Sequence, residues 1–569
     1  MVDRSFLSLD IGSQHTRAWL YRNAQEQFML EGKAEAQSTA LGGGNVLDGV
    51  WHACEKLQKL TGYPILDHNN KFILSNANHE KGIEKVGLSL SAGPRIKTAI
   101  IGLTDRTSLD SIRRLASLFY TDETALINLS DGLDATHQLE KLMAADADMI
   151  ILAGGVNKGA TKPILAAVEN IRLVYNYLPR VNKPQIVYVG NESLKEEIVS
   201  LLEAGDNLHL AANIHPDFVT EDQITAWGAM LVAFERIRIQ QLRGLKELTQ
   251  ELGTHVIPTS YAMGRMVRYL DHISKANKGV MALDIGAGSS MLVASKSDNF
   301  TASLTSTPID ENVAKKTRFW SSLPLDENSI AEYLHNKNLH PGFMAATLED
   351  LAIEHAWTRV RLQDAFSKTL SLYHEFGYDP EKGLTDIYEP IIISGESLTN
   401  VPTVGQQFLI LLDGLRPHGI TTIVLDKDQI LVSLGTLAAI EPLIPVQVLD
   451  GLKFENLGTV ICAVSPEKEG QVVLNIEIAR EDEQREIHEI RKGDIKRYEV
   501  KPGTKARIYL APEIETNVGM GHEGLGGWVS VSGSGLGIVI DARGRPLPLD
   551  LSTETRSEVI RNWLWELGG

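Results

Sequence analysis

SLDIGSQHTRAW, Ser8 to Trp19, is the stretch whose reading decides the fold. A short apolar strand, Phe6 to Ile11, carries a carboxylate, Asp10, almost at its end. Gly12 and Ser13 turn the chain, and Thr16 to Tyr21 reads as the returning strand. A glycine turn exposes backbone N–H groups that can hold phosphate oxygens. A carboxylate beside it would hold the magnesium ion that accompanies them. One Asp-x-Gly turn is common in hairpins, but a second copy stands at Val280 to Val293, VMALDIGAGSSMLV. There Asp284, Gly286, Gly288 and Ser289 repeat the arrangement. Two such turns, one from each half of the chain, are expected to close on the phosphates of a nucleotide.

Composition bounds the rest. A chain of 569 residues corresponds to roughly three to four domains. Hydrophobic content of 43% and charged content of 22% are those of an ordinary soluble protein. A net charge of −18 argues against a broad nucleic-acid or anionic-membrane surface, while leaving room for a local phosphate site. Cys54 and Cys462 are too few and too far apart for a disulfide framework or a zinc motif, so a cytoplasmic location is expected. No apolar run approaches a membrane span, and no basic-then-apolar leader opens the sequence.

From Lys97 the rhythm becomes strand, helix, strand, helix. Thr98–Leu103, Ala125–Leu129, Met149–Ala153 and Ile186–Val189 are expected strands, with helices between them. That alternation predicts a parallel sheet, with Gly154, Gly155, Asn157, Gly190 and Asn191 beyond its strand ends. Residues 220–252 read as mostly helical and lead to the second turn. Further on, Pro390–Glu396 (PIIISGE) is a buried strand stopped by Ser394 and Gly395, and Leu434–Ile440 (LGTLAAI) is a small-residue helix suited to close packing. After Val446 the composition turns to strands, with a charged run at 481–497 and a closing helix entered at Ser552 or Thr553. The tail is expected to be an all-β sandwich or barrel.

A P-loop, an HExxH helix, paired Cys-x-x-Cys motifs and a nucleophile elbow are all missing. The remaining motif order is Asp-x-Gly-Ser, Asp-x-Gly-x-Gly-Ser, a strand-terminal Ser-Gly and a GTLAA segment. This resembles the superfamily of actin, sugar kinases and heat-shock chaperones. A narrower resemblance, to the glutamate mutase L family associated with adenosylcobalamin-dependent mutases, runs over nearly the whole chain. It is carried by LDIGSQHTRAWL, SAGPRIKTAIIGLTDRTSLDSIRRLA, DMIILAGGVNKGA, IVYVGNE, LDIGAGSSML and GLGIVIDARGRPLPL. In the last, Asp541, Arg543, Gly544, Arg545 and Pro546 match the family's tail signature. The chain departs from the family where Met291 replaces the final acid of the second turn, and where Val156-Asn157-Lys158 lose another.

The resemblance implies an α/β fold: two ribonuclease-H-like, actin-type lobes around a nucleotide cleft, an inserted parallel α/β domain and a C-terminal all-β domain. The expected boundaries are 1–97, 98–215, 216–277, 278–445 and 446–569, for first lobe, insert, helical connection, second lobe and tail. ATP and Mg2+ are the expected ligands. Asp10 and Asp284 would hold the metal. Gly12, Ser13, Gly286, Gly288 and Ser289 would hold phosphates, with Thr16 and Arg17 as weaker candidates, and Ser394 and Gly395 would lie near the adenosine. The implied function is an ATP-driven accessory or chaperone-like factor, with weak ATPase activity left open. Its expected partner is a protein, either a cobalamin-dependent mutase or another client, and self-association is open. Two alternatives stay open: a non-hydrolysing scaffold or filament protein, and a small-molecule kinase.

Overall fold

The protein is described here by a computed structural model, covering all residues except 1–3, 25–26, 76–80, 180–182, 275–277, 298, 452–453 and 481–484. Two compact units divide the chain: Met1–Met263 with Val432–Gly451, and Gly264–Leu431 with Leu452–Gly569.

The first unit begins with an antiparallel meander, β1 (Ser5–Ile11), β2 (His15–Ala24) and β3 (Gln27–Gln37). Every residue of β1 is buried, as its apolar run predicts for a central strand. β3 buries only Phe28 and Ala36, so its weak apolar signal hides it in the sequence. Helix α1 (Val46–Thr61) follows, capped by the Asn45 side chain on the Leu47 N–H and ended by Gly62 in the left-handed conformation. It buries Val46, Val50, Ala53, Cys54 and Leu57, one face at helical spacing. β4 (Lys85–Leu90) then pairs parallel with β1.

The insert follows: β5 (Ile96–Gly102), α2 (Asp110–Ala116), β6 (Thr121–Asn128), α3 (Ala135–Ala144), β7 (Met149–Ala153), α4 (Lys162–Tyr177), β8 (Gln185–Tyr188), α5 (Lys195–Leu202) and β9 (Leu208–Leu210). All pairings are parallel, in the order β6-β5-β7-β8-β9, the doubly wound sheet expected from the rhythm. The chain returns through α6 (Ile224–Gln241) and α7 (Leu245–Leu252) to β10 (Val256–Pro258), parallel to β4, and enters α8 (Thr259–Ile273). The lobe's sheet order is β10-β4-β1-β2-β3.

The second unit repeats this plan. β11 (Val280–Ile285), β12 (Ser290–Lys296) and β13 (Asn299–Thr305) form the meander. Helices α9 (Glu311–Phe319), α10 (Glu327–Leu339) and α11 (Leu348–Leu372) and a small hairpin of β14 (Tyr378–Asp379) and β15 (Gly383–Leu384) come next. β16 (Ile391–Ser394) pairs parallel with β11. After α12 (Glu396–Thr399) and α13 (Val404–Leu415), β17 (Gly419–Leu425) pairs parallel with β16. α14 (Ile430–Leu437) and α15 (Leu443–Gly451) follow in the chain and, from Val432 on, belong to the first unit. Order and polarity match the first lobe strand for strand: β13-β12-β11-β16-β17 against β3-β2-β1-β4-β10. Three meander strands and two parallel ones, joined by helices, make each lobe ribonuclease-H-like.

The tail strands divide between two sheets. β18 (Glu455–Cys462) pairs with β17. β19 (Val472–Arg480), β20 (Arg485–Arg491), β21 (Ile495–Tyr498), β22 (Lys505–Pro512), β23 (Gly527–Ser532) and β24 (Ile538–Asp541) follow, then α16 (Thr553–Glu566), capped by Ser552. β18, β24 and β21 extend the second lobe's sheet to eight strands, while β20-β19-β22-β23 form an antiparallel sheet of their own. Ile461, Ile538 and Ile540 of the first sheet share a core with Val473, Ile476 and Ile508 of the second, so the two layers pack face to face and no barrel closes. Of the charged run 481–497, residues 481–484 lie outside the described residues; the rest is β20 and β21 and the turn between them.

Candidate functional site

In the first lobe, Asp10 sits one residue before the end of β1 and is 3% exposed. Its Oδ1 accepts hydrogen bonds from Ser89 Oγ on β4 (2.8 Å) and from Thr259 Oγ1 at the start of α8 (2.7 Å). Arg17, its partner on β2, brings Nη1 to 3.9 Å from Oδ2. Burial pushes the Asp10 carboxyl above its ordinary range, against the pull of Arg17 and the two hydroxyls. The turn is closed by the Gly12 N–H donating to the His15 carbonyl at 2.9 Å. Ser13 lies half-buried in that turn. Thr16 pairs with Ile11, so the strand alternation puts it on the sheet face opposite Asp10, fully buried beneath Gly49 of α1. The structure brings Asp10, Gly12 and Ser13 together with Arg17, and leaves Thr16 behind them.

The second lobe has the same geometry. Asp284 sits one residue before the end of β11, and its Oδ2 accepts from Ser394 Oγ at 2.7 Å. Ser394 is paired with Asp284 across the parallel ladder as Ser89 is with Asp10. The Gly286 N–H donates to the Ser289 carbonyl at 3.0 Å, the counterpart of the Gly12 turn. Gly395 has φ 91°, and a Cβ there would lie 2.5 Å from the Ile285 backbone, so the end of β16 passes over β11 only as glycine. Gly286 and Gly288 differ: neither has a positive φ, and a Cβ on Gly288 would meet nothing within 4 Å. Nothing in the fold demands glycine there.

Arg361 on α11 was not anticipated. It is 5% exposed. Its Nη2 donates to the carbonyls of Gly286 (2.6 Å) and Ser289 (2.9 Å), and its Nη1 to Ser397 Oγ (3.1 Å). It grips the second turn through the turn's carbonyls. Burial lowers its pKa to about 10, opposed by Glu354 and Asp284, which keeps it charged at neutral pH. The sequence signal was there: in AWTRVRL two arginines stand in a largely apolar segment of helix. Thr259 carried no such signal, because its neighbour is remote in sequence.

The loops at the strand ends of the insert are tied internally. Asn213 Nδ2 donates to the Gly155 carbonyl (2.9 Å) and to Asn157 Oδ1 (3.0 Å), and Asn191 Oδ1 accepts from the Lys158 N–H (3.0 Å). The tail signature is likewise interior. Arg543, with its side chain fully buried, donates to Asp541 Oδ1 (2.9 Å) and Asp413 Oδ1 (2.8 Å). Arg545 reaches Asp541 Oδ2 (2.9 Å), and Arg359 reaches Asp413 Oδ2 (2.8 Å). Both cysteines are buried and unpaired. Among the described residues no helix is long and apolar enough to cross a membrane.

Twin ribonuclease-H-like lobes, each offering an aspartate beside a glycine turn, define a protein of the actin-like ATPase fold. The model of the MutL protein family (glutamate mutase L) matches residues 6–319 of the 569, and the chain belongs to that family. No curated relative matches. Solved structures with a similar chain path include the activator of the 2-hydroxyisocaproyl-CoA dehydratase from Clostridium difficile. It is 10% identical, with 79% of this chain and 98% of that chain covered and a TM-score of 0.27. They also include a diol dehydratase-reactivating factor, at 12% identity, 77% and 99% coverage and a TM-score of 0.32. A third is xylulose kinase from Bifidobacterium adolescentis, at 11% identity, 81% and 96% coverage and a TM-score of 0.29.

Proposed function

We propose that this protein binds ATP with Mg2+ and uses the nucleotide to act on a client protein. The observation that carries the reading is the equivalence of the two half-sites: Asp10 with Ser89 and the Gly12 turn, Asp284 with Ser394 and the Gly286 turn. Gly286 and Gly288 add to it, since glycines that the fold does not require suit close approach of a ligand to the backbone.

On this reading the Gly12–Ser13 and Gly286–Ser289 turns hold phosphate oxygens through the N–H groups of Ser13, Gly288 and Ser289, while the Gly12 and Gly286 N–H groups close the turns and these glycines let a phosphate approach the backbone. Ser394 and Gly395 lie on the adenosine side, with Ser394 also fixing the Asp284 rotamer. Mg2+ takes oxygen ligands, often one or two carboxylates with substrate phosphates and water completing the shell. Asp10 and Asp284 fit that role, and the absence of any larger cluster of metal-binding side chains among the described residues is compatible with it. When bound, the ion would neutralise phosphate charge. Arg17 would add positive charge at the first turn, and Arg361 would keep the second in shape.

The family resemblance to mutase-associated proteins supports a protein client, and a cobalamin-dependent mutase is the first to test. One observation favours binding without turnover. The residue opposite Asp284 on β12 is Met291, 4% exposed, where the family pattern has an acid. No titratable group stands there to orient a water. Titration of ATP–Mg2+ into wild type, Asp10→Ala and Asp284→Ala tests the site. Each substitution is expected to weaken binding about tenfold or more, the loss of a charge-assisted contact. Equal affinity in all three would remove the two aspartates from nucleotide binding.

A further inference from the structure

We propose that a cleft on the second unit, lined by no residue of either glycine turn, binds a small organic anion with a flat apolar body. The cleft has a volume of about 670 Å³ and lies among α9, the start of α10, α11, the β14 segment and α16. That volume is in the range of small-molecule sites. In a chain of net charge −18 its lining is basic: Lys315, Lys316, Arg318, Arg416 and Arg556, against only Glu327 and Asp364.

The acids do not cancel these cations. Glu327 Oε1 takes one N–H of Arg318 at 3.0 Å, and Asp364 stands 3.7 Å from Lys316. Arg556 donates only to the Leu551 carbonyl among the contacts seen, and its guanidinium stacks over the Phe319 ring at 4.6 Å. Burial and the neighbouring Arg318 disfavour the charge of Arg556, against the pull of Asp550 and Glu554. The Nε groups of Arg318 and Arg416 are buried donors with no acceptor. Arg416 is itself 8% exposed and donates to the Tyr378 hydroxyl (3.1 Å) and to the Glu381 and Pro380 carbonyls (2.6 and 2.9 Å), so its position is fixed before any ligand arrives and it contributes charge more than open donors.

The rest of the lining is aromatic. Phe319 and Trp320 meet edge to face at 5.2 Å, and Trp320 is oriented by its indole N–H on Gln363 Oε1 at 3.3 Å. A guanidinium stacked on an aromatic ring, with further cations beside it, suits a planar group carrying a phosphate or carboxylate. A concave site of this size points to a small molecule in preference to an extended peptide.

The test is calorimetric titration of the full-length protein with phenyl phosphate, benzoate, phenol and inorganic phosphate, with and without saturating ATP. Saturable binding of phenyl phosphate or benzoate, stronger than that of phenol and inorganic phosphate and indifferent to ATP, is the expected result. The preferred anion of the two identifies the headgroup. Arg318→Gln/Arg556→Gln is expected to weaken it about tenfold. Lys315→Glu/Lys316→Glu, at two exposed positions, is expected to weaken it without lowering the melting temperature. No saturable binding at millimolar concentration, displacement by ATP, equal binding of phenol, or unchanged affinity in the folded lysine variant would overturn the proposal. Because the Asp10 and Asp284 variants leave this cleft intact, its failure and that of the nucleotide site are read separately.

Discussion

Asp10 illustrates how a residue proposed to bind a ligand can work against the stability of its own fold. Its carboxyl is buried, and its pKa is raised over the unfolded value chiefly by desolvation. A group of this kind stabilises the folded state fully below its unfolded pKa and loses that contribution as pH rises through the folded pKa. At neutral pH the ionised carboxylate is therefore a cost. Asp10→Asn keeps an oxygen for Ser89 and Thr259 and removes the charge. It should raise the melting temperature at neutral pH, by a margin that shrinks as the pH is lowered, while weakening ATP–Mg2+ binding. Thermal unfolding across acid to neutral pH checks this. A variant less stable than wild type at neutral pH would mean that Arg17 more than offsets burial. This residue was legible because the carboxylate stands beside a glycine turn that occurs twice. Its supports, Ser89 and Thr259, were not, since they lie 79 and 249 residues away.

At the scale of elements, the tail signature ties β24 to helices distant in sequence. Arg543 joins Asp541 on β24 to Asp413 on α13, Asp413 holds Arg359 on α11, and the Arg543 guanidinium lies 4.4 Å from the Trp563 ring on α16. The depressed Asp541 pKa follows from Arg543 and Arg545 overcoming its burial. Removing one member leaves buried charge without a partner. Arg543→Met should cost about 3–5 kcal/mol in chemical denaturation. A loss under about 1 kcal/mol would mean the network relaxes around the gap. Helix packing is equally exacting where α14 meets α8. A Cβ on Gly435 would collide with the Ala262 carbonyl, which is the physical reason for the small-residue run read in LGTLAAI. The helix was legible; the partner that needs its glycine was not.

For the molecule as a whole, the outcome to measure is what the nucleotide does. Steady-state phosphate release, with and without candidate client proteins, separates an ATPase from a protein that binds and holds ATP. The Met291 position leads us to expect release near background for the protein alone, rising only with a client. Release unchanged by every client would favour the scaffold reading. Light scattering with and without ATP–Mg2+ then shows whether the chain self-associates.

The sequence by itself determined the two acidic glycine turns, the parallel insert and the β-rich tail, because these rest on local patterns: apolar runs, strand-helix rhythm and turn residues. The tertiary structure decided that the two lobes share one strand order. It also decided which hydroxyls hold each aspartate, that Arg361 grips the second turn, and that three tail strands complete the second lobe's sheet. Each of those depends on groups brought together across long stretches of chain by burial and hydrogen bonding, and no local spacing records such a meeting.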